Sequence, residues 1–475
     1  MAKYIQEFTT EAAYNTARTN NYIEPWTSLT DSTGDLNYNK SEYEKLLETP
    51  LTTIAKEDGT ISFNIWKSMG TDMITSVSYS TDGGETWTTT NNTNNKSEHL
   101  VIAVNVNEGD RVMWKANAQQ TGYYDENEEY DGYVGSFFSS TCEFDVEGNV
   151  MSMINDATGL TYSGQLCCLF YNYDEETECL VVDASKLLLP ATTLDIYCYY
   201  MMFQECTRLA TAPELPATTL ASNCYGGMFA GCTSLVQTPE LPANTLADYC
   251  YYYMFSNCTS LTTAPVLPAT TLASNCYNYM FSNCTNLTTA PVLPATALTE
   301  FCYYGMFNGC TNLTTAPELP ATTLASQCYQ DMFANCTSLT TAPVLPATTL
   351  ATYCYYDMFY SCTSLIQAPE LPSTTLASGC YEGMFRGCTA LGQAPELPST
   401  TLASRCYHSM FSGCTSLDYI KCLATNISAS NCTQNWVSGV ASSGTFIGDP
   451  NSTWTIGNNG IPSGWNYNNV NILFT

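Results

Sequence analysis

Charge is scarce in this sequence, and histidine is almost absent. Of the 475 residues only 12% are charged, and 44 Asp and Glu outweigh 14 Lys and Arg to give a formal net charge of -30 at pH 7. Nucleic acids and anionic membrane surfaces bind clustered Lys and Arg, so we expect neither as a partner. The two histidines, His99 and His408, stand without a Ser/His/Asp set, a phosphate-binding glycine loop or a nucleotide fingerprint. The sequence therefore gives no support for an enzyme or for a cofactor.

Long apolar runs are also missing. No run reaches the roughly 18 residues that cross a bilayer, so we expect no membrane insertion. The first residues, MAKYIQEFTTEAAYNTARTNNYIEPW, hold one Lys but no apolar stretch after it, unlike a secretory signal. We therefore expect assembly in the cytoplasm, where thiols stay reduced. The 24 cysteines then need an explanation other than disulfide bonds.

What the sequence has in abundance is repetition. A 26-residue unit, here called a rung, recurs nine times and carries a Cys-Tyr pair followed eight residues later by a Cys-Thr pair. Its consensus is L-P-A-T-T-L-A-S-x-C-Y-x-x-M-F-x-x-C-T-S-L-T-T-A-P-x. A fixed period of this kind predicts a solenoid. The first cysteines of rungs one to nine are Cys198, Cys224, Cys250, Cys276, Cys302, Cys328, Cys354, Cys380 and Cys406.

The spacing inside one rung predicts a strand followed by a helix. Leu272, Cys276, Met280 and Cys284 are each four residues apart, which is close to helical spacing, and Thr271 precedes them as an N-cap. The stretch SLTTAPVLP holds β-branched residues, but its two prolines keep a strand short. We predict an α/β solenoid whose rungs each contribute a short strand, a proline-rich turn and a short helix. The strands would stack in parallel about 4.8 Å apart.

The two cysteines of one rung cannot pair in such a helix. Eight helical residues rise about 12 Å, whereas a disulfide needs Cα atoms within about 7 Å. Pairing between neighbouring rungs would leave one cysteine over, because nine is odd. Since free cysteine behaves as a small buried hydrophobe, each column of cysteines is predicted to be a packing ladder. The alternative, a metal site, lacks a CxxC motif and a histidine that recurs with the repeat.

The rungs resemble the BspA-like leucine-rich repeats of gut Bacteroidales and their bacteriophages. The segment MFSNCTSLTTAPVLPATTLASNCY and its copies carry this likeness over about half of the chain. The resemblance implies a right-handed solenoid that serves adhesion or recognition. It implies no enzymatic activity.

The segments before the repeats differ in composition. Residues 49–150 alternate apolar and polar residues between turn signals, which predicts an all-β, immunoglobulin-like sandwich. Residues 1–48 hold few aliphatic side chains and resemble the N-terminal leader of structural proteins in Bacteroidales phages. That likeness implies a docking segment.

Caps are expected at both ends of the solenoid, because a repeat array needs them. We assign residues 151–186 to the N-terminal cap and residues 187–417 to the nine rungs. Residues 418–475 form the C-terminal cap and tail. They contain a degenerate tenth unit that keeps Cys432 in the first cysteine column.

One motif in the β region resembles a propeller hairpin. STDGGETW, from Ser80 to Trp87, matches the Asp-box of sialidase-like propellers. Asp82 and Gly83 suit a turn. A glycosidase site would need several copies and a pair of catalytic carboxylates, so we predict a structural hairpin.

A second motif, YYDENEEYDGY, gathers carboxylates. Its oxygen ligands could hold a calcium ion, although the glycine of the EF-hand loop is not in place. A solvated acidic loop is the favoured interpretation. The calcium candidates are Asp125, Asn127, Glu129 and Asp131.

Three positions vary most between rungs: the residue before the first cysteine, and the second and third residues after it. The first two of these are aromatic in alternate rungs through rung seven and would share a helix face. Duplication of a two-rung unit explains the alternation, with tyrosines packing over small neighbours. The other interpretation is a row of platforms for sugar rings or protein partners. The candidate ligand-binding residues are Tyr197, Tyr200, Tyr249, Tyr252, Phe301, Tyr304, Tyr353 and Tyr356.

Two functional classes compete. In the first, the protein is a non-enzymatic virion component, a head or tail fibre or a capsid-decorating protein. Its N-terminal segment would dock on other virion proteins, and its solenoid would project outward to host surface glycan or protein. It would assemble in the host cytoplasm and then be extracellular, and homo-oligomers are compatible with this role. The second class is a bacterial cell-surface adhesin. It is disfavoured because the first residues do not resemble a secretory signal.

Overall fold

The structure is a computed structural model that describes residues 42–65, 74–92, 100–118, 121–124, 133–154, 163–171 and 178–469. Within these ranges the helices are α1 (Glu42–Glu48) and a 3-10 turn at Val150–Met153. Several predictions concern other parts of the chain. Of the docking segment, residues 1–41 lie outside the described residues, as do His99 and the four calcium candidates.

The β region consists of two facing sheets. Strands β10, β1, β6, β3 and β4 are hydrogen-bonded in that order, while β5, β2 and β9 form the second sheet and β7 pairs with β8. Alternate residues of the strands are buried, and Trp114 packs edge-on against Phe138 of the other sheet with ring centroids 5.4 Å apart. The strands are β1 (Thr52–Ala55), β2 (Gly59–Ile65), β3 (Ile74–Ser80), β4 (Thr88–Asn91), β5 (Leu100–Val106), β6 (Arg111–Ala118), β7 (Gly122–Tyr124), β8 (Tyr133–Gly135), β9 (Phe137–Ser140) and β10 (Phe144–Asn149).

The solenoid continues the first sheet. Strand β11 (Val181–Leu188) pairs in parallel with β10, so the β region and the repeats share a sheet edge. Residues 163–171 already have the backbone pattern of the rungs, because the amide of Phe170 donates to the carbonyl of Met202 at 2.9 Å. The buried side chains of the β region and of the repeats form one hydrophobic core.

The proline-rich side of the rungs is held by isolated parallel bridges. Thr263 bridges to Thr289, Thr289 to Thr315 and Thr315 to Thr341. Each bridge stays single because the nearby prolines have no N–H to extend a ladder. Regular strands return only at the C-terminal end, where a parallel sheet contains β12 (Tyr419–Cys422), β13 (Thr445–Gly448) and β14 (Asn466–Asn469).

The predicted rung helix is wrong. In rung four the amides of Asn278, Met280 and Ser282 donate to carbonyls three residues back, at 3.1–3.2 Å. The amides between them donate to the next rung instead, as Tyr279 does to Tyr304 at 2.7 Å. Every fourth residue also has a positive φ, for example 52° at Tyr279, which an α-helix does not allow.

The segment is therefore a chain of overlapping β-turns, and we name it the turn ribbon. It runs in each rung from two residues before the first cysteine to the second cysteine, or residues 274–284 in rung four. The positive φ falls on the third residue of alternate turns, as type II turns require. The four-residue spacing that suggested a helix is the period of these turns. Thr271, the predicted N-cap, instead bridges to Thr245.

The inner side of the ribbon consists of residue pairs stacked from rung to rung. Cys276, Tyr277, Met280 and Phe281 of rung four are all buried. Their equivalents form a tyrosine ladder from Tyr199 to Tyr407, with centroids 5.7–6.2 Å apart. A phenylalanine ladder runs beside it and ends at Phe411.

The prediction of cysteine packing ladders is confirmed. All 24 cysteines are buried thiols. In the second column each thiol reaches back to the previous rung, as when Cys284 Sγ donates to the carbonyl of Phe255 at 3.1 Å. Burial raises the pKa of Cys284 to about 12.

Candidate functional site

The outer side of the turn ribbon carries three columns of residues with left-handed backbone. They stand one residue before the first cysteine, three after it and seven after it, and in rung three they are Tyr249, Tyr253 and Asn257 with φ of 57°, 53° and 61°. A Cβ is strained in this region, which Gly and Asn enter most easily. The third column is Gly or Asn except at Glu205 and Ser361, whereas the first two columns hold several aromatic residues. The left-handed aromatic residues of these columns are Tyr197, Tyr249, Tyr253, Tyr279, Phe301 and Tyr353.

The four predicted aromatic pairs lie on this outer side, and the members of each pair touch. They are the first and last residues of one turn, not neighbours on a helix. Tyr249 and Tyr252, for example, are joined by a 3.1 Å backbone hydrogen bond and have centroids 5.5 Å apart at 75°. The other pairs have centroids 5.3–6.0 Å apart and are similarly inclined. Most of these rings are half-buried; Tyr249 is 37% exposed and Tyr200 only 6%.

Two tyrosines that the sequence interpretation omitted connect the pairs of rungs three and five. Tyr253 contacts Tyr252 with centroids 4.4 Å apart and stacks on Tyr279 at 5.0 Å. Tyr279 in turn meets Tyr304 at 4.8 Å. The signal for both was the third position after the cysteine, which varies between rungs but is aromatic only in rungs three and four and so does not follow the alternation of the pairs. We name the resulting cluster the aromatic patch; it contains Tyr249, Tyr252, Tyr253, Tyr279, Phe301 and Tyr304.

Rings of one rung lie over glycines of the next. A Cβ added to Gly305 would overlap the ring of Tyr279, and a Cβ on Gly379 would overlap that of Tyr353. Tyrosines thus pack over small neighbours, as the duplication interpretation expects. That packing does not explain why tyrosines occupy these left-handed positions, because other rungs have Gly or Asn in the same columns.

Amides and hydroxyls surround the aromatic patch. Asn278 stands between Tyr252 and Tyr304 in the column of second residues after the cysteine, and it is 5% exposed. Its Nδ2 donates to Asn275 Oδ1 at 2.7 Å, whereas its own Oδ1 is buried without a hydrogen-bond partner. In the third left-handed column, Asn283 Nδ2 of rung four donates to Asn257 Oδ1 of rung three at 3.0 Å. Burial raises the pKa of Tyr253, so this ring stays neutral at physiological pH.

A charged cluster occupies the same side in rungs six to nine. Arg386 pairs with Asp357 at 3.0 Å, and Arg405 forms two hydrogen bonds to Glu382. His408 is partly buried, and its Nδ1 lies 3.1 Å from Glu382 Oε1.

Two acids of this cluster have strongly raised pKa values. Burial, together with the negative charge of Asp357, raises the pKa of Asp331 to about 7. Burial raises the pKa of Asp357 to about 6, although Arg386 opposes the effect. Both carboxyls therefore gain protons near neutral pH.

The Asp-box is a structural hairpin, as predicted. Asp82 accepts hydrogen bonds from the Thr86 amide at 2.9 Å and from Ser80 Oγ at 2.7 Å. The indole of Trp87 donates to the Gly84 carbonyl at 3.1 Å. Hydrogen bonds, first of all the one from the Thr86 hydroxyl, lower the pKa of Asp82 to about 2. Its carboxylate is occupied in closing the turn.

The described residues lack two further features, a metal cluster and a membrane-spanning helix. In the described parts of the chain no group of three or more His, Cys, Asp or Glu is arranged to hold a metal ion. None of the helices found there has the length and apolar character to cross a membrane.

Comparison with known proteins identifies the repeat. The family model described as BspA type leucine rich repeat region matches residues 192–340 and 304–435 in six copies, together more than half of the chain. A search of curated proteins found no match. Repeats of this type are typically non-enzymatic and indicate surface adhesion or protein interaction. The chain belongs to the BspA type leucine-rich repeat family.

Proposed function

We propose that this protein is a non-enzymatic recognition component of a bacteriophage virion, a fibre or capsid-decorating protein. Its N-terminal segment attaches to other virion proteins, and the outer side of the turn ribbon meets the host surface. The observation that carries the recognition role is the set of large aromatic residues held in left-handed backbone on that side.

The argument rests on what those residues cost the fold. A left-handed conformation costs most residues about 1–2 kcal/mol, asparagine less because its side chain can hydrogen-bond locally, and glycine almost nothing. Asn223 and Asn275 hold the same place in the first column with the same φ, so the backbone has no need of an aromatic ring there. Strained residues cluster at functional sites, where the surrounding structure enforces them. Large rings on an outer surface supply contact area for a partner.

Two observations support a virion rather than a secreted adhesin. Residues 1–48 resemble the leader of phage structural proteins. The 24 cysteines are buried thiols that pack from rung to rung, which suits assembly in a reducing cytoplasm. In the alternative, a bacterial cell-surface adhesin, the same outer side of the turn ribbon would serve recognition, but the protein would be attached to a bacterial cell instead of a virion.

Two measurements test this proposal. Mass spectrometry of purified particles, beside the host proteome, should find the chain in the particles. A chain without residues 1–41 keeps α1, whose Leu47 carbonyl accepts a hydrogen bond from Asn149 Nδ2 at 3.1 Å. It should fold and still adhere to host cells, but fail to join particles. Normal incorporation of the truncated chain would place the docking surface elsewhere, and absence of the full chain from particles would overturn the virion role.

A further inference from the structure

We infer that the aromatic patch of rungs three to five binds an uncharged polysaccharide chain. This inference rests on the proposed recognition function and specifies its ligand. It also changes the arrangement suggested by the sequence, from four equal platforms to one continuous site with two outlying pairs.

The shape of the patch suits a chain of sugar rings. Tyr253 and Tyr279 are stacked 22° from parallel, and their partners Tyr252 and Tyr304 stand at 74° and 65° to them. The cluster therefore offers ring faces in more than one direction across three rungs. One side of a pyranose ring presents C–H bonds, which pack on the electron-rich face of an aromatic ring. Ligand sites of this kind combine such faces with a few polar groups that fix orientation.

Asn278 supplies the polar group. Its Oδ1 lies inside the patch without a hydrogen-bond donor, although the side chain is 95% buried by its neighbours. A buried acceptor without a partner is destabilising, so the free protein favours any ligand that brings a donor. A sugar hydroxyl is such a donor, and it reaches the oxygen when one of the adjacent rings shifts. The amides of Asn257 and Asn283 extend the polar border of the site.

Charge excludes acidic polysaccharides. Residues 248–309, which contain the whole patch, hold no Lys, Arg or His. The charges nearest in sequence to the patch are acidic: Asp248 precedes Tyr249, and Glu300 precedes Phe301. With a net charge of -30, the protein repels a uronic-acid or sulfated chain and gives it no counter-charge. A neutral chain avoids this repulsion.

The test compares two variants of the full chain on immobilised neutral glucan and mannan, with alginate and heparin as acidic probes. The patch variant combines Tyr253→Gly and Tyr279→Gly, since Gly227 and Gly305 already occupy that column. The matched control combines Tyr197→Asn and Tyr200→Gly, which copies Asn223 and Gly226 of rung two outside the patch. The parent should bind at least one neutral probe and neither acidic one. The patch variant should bind it at least tenfold more weakly, and the control within about twofold of the parent.

A third variant, Asn278→Ala, removes the acceptor together with the hydrogen bond from Asn278 to Asn275. At a temperature where this variant is folded, it should bind the neutral probe more weakly than the parent. Unchanged binding by the folded patch variant, or preference of the parent for an acidic probe, would overturn the inference.

Adhesion to host cells whose glycans have been oxidised with periodate separates this inference from the proposed function. Adhesion that survives the treatment points to a protein receptor, and then the recognition role stands while the glycan does not. Loss of adhesion after periodate supports both.

Discussion

The ring of Phe138 in β9 stacks on the ring of Phe170 just before the first rung, with centroids 5.3 Å apart. Phe170 stacks in turn on Phe203 of rung one, 4.8 Å away and nearly parallel. The core of the β region thus passes directly into the phenylalanine ladder of the solenoid. Together with the pairing of β10 and β11, these contacts join the β region to the repeat array through Phe170, which lies in the predicted N-terminal cap, residues 151–186.

Replacing Phe170 should therefore uncouple two units that unfold together. We expect Phe170→Ala to cost about 3–5 kcal/mol, the usual effect of removing a buried phenylalanine side chain. Calorimetry should show one transition for the parent and two for the variant. The matched control is Phe307→Ala in the middle of the ladder, which should cost a similar amount without separating the β region. A single lowered transition in both variants would show that the junction is no weaker than any other rung interface.

Removing a left-handed tyrosine should leave stability nearly unchanged. Tyr249→Asn relieves about 1 kcal/mol of backbone strain and loses one aromatic contact of similar size. By contrast, Tyr251→Asn, two residues along, opens the inner ladder and should cost about 3 kcal/mol or more. Denaturant titration of both variants measures the difference. A Tyr249→Asn loss as large as that of Tyr251→Asn would mean that the outer tyrosines are part of the packing.

The cysteines should be unreactive in the folded protein. Burial raises the pKa of Cys284 to about 12 and raises those of the other ladder thiols, so almost none is present as the reactive thiolate. Iodoacetamide should modify few cysteines of the native chain and nearly all 24 after denaturation without reductant. Mass spectrometry counts the adducts. Half or more of the cysteines remaining in disulfides after denaturation would contradict the packing ladders.

Stability should fall as the pH rises from about 4 to about 7. The pKa of Asp331 is raised from 3.8 to about 7 and that of Asp357 to about 6, so the folded protein binds more protons than the unfolded chain between about pH 4 and pH 7. The stability that these two groups contribute is therefore complete below about pH 4 and lost as the pH passes their folded pKa values. The loss should amount to a few kcal/mol, because one pKa unit corresponds to about 1.4 kcal/mol.

The variant Asp331→Asn isolates this effect. It removes the acid with the larger pKa shift, and Asn435 already holds the same column place in the tenth unit. Denaturant midpoints at pH 5 and pH 8 should differ less for the variant than for the parent. Equal pH dependence in the two proteins would show that Asp331 is not the titrating group.

The sequence predicted the parts of the fold that depend on apolar periodicity. The repeat period and the inward Cys276, Met280 and Cys284 followed from spacing alone. The backbone conformation of the rung could not be predicted from spacing, since residues four apart share a side both of an α-helix and of a chain of β-turns. Tyr277 and Phe281 do not separate the two backbones either, because over residues 274–284 the inward positions 276, 277, 280, 281 and 284 also fall on one face of a helix.

The candidate site was recovered only in part. The third residue after the cysteine is aromatic only in rungs three and four, so it lacks the two-rung alternation of the pairs, and Tyr253 and Tyr279 were omitted. The turn ribbon brings them between Tyr252 and Tyr304. No sequence pattern predicted that the Oδ1 of Asn278 lacks a hydrogen-bond partner, since this depends on the side chains that the neighbouring rungs place around it.

The alternation of backbone donors in the turn ribbon also determines how this protein can change in length. Every second amide is satisfied by the following rung, whichever rung that is, as Tyr251 is by Cys276 and Tyr277 by Cys302. Unequal recombination within the repeated gene segment can therefore add or remove whole units while both ends remain compatible. Each such event lengthens or shortens the outer side of the turn ribbon by one full set of outer residues, while the inner ladders keep the same residue types and spacing.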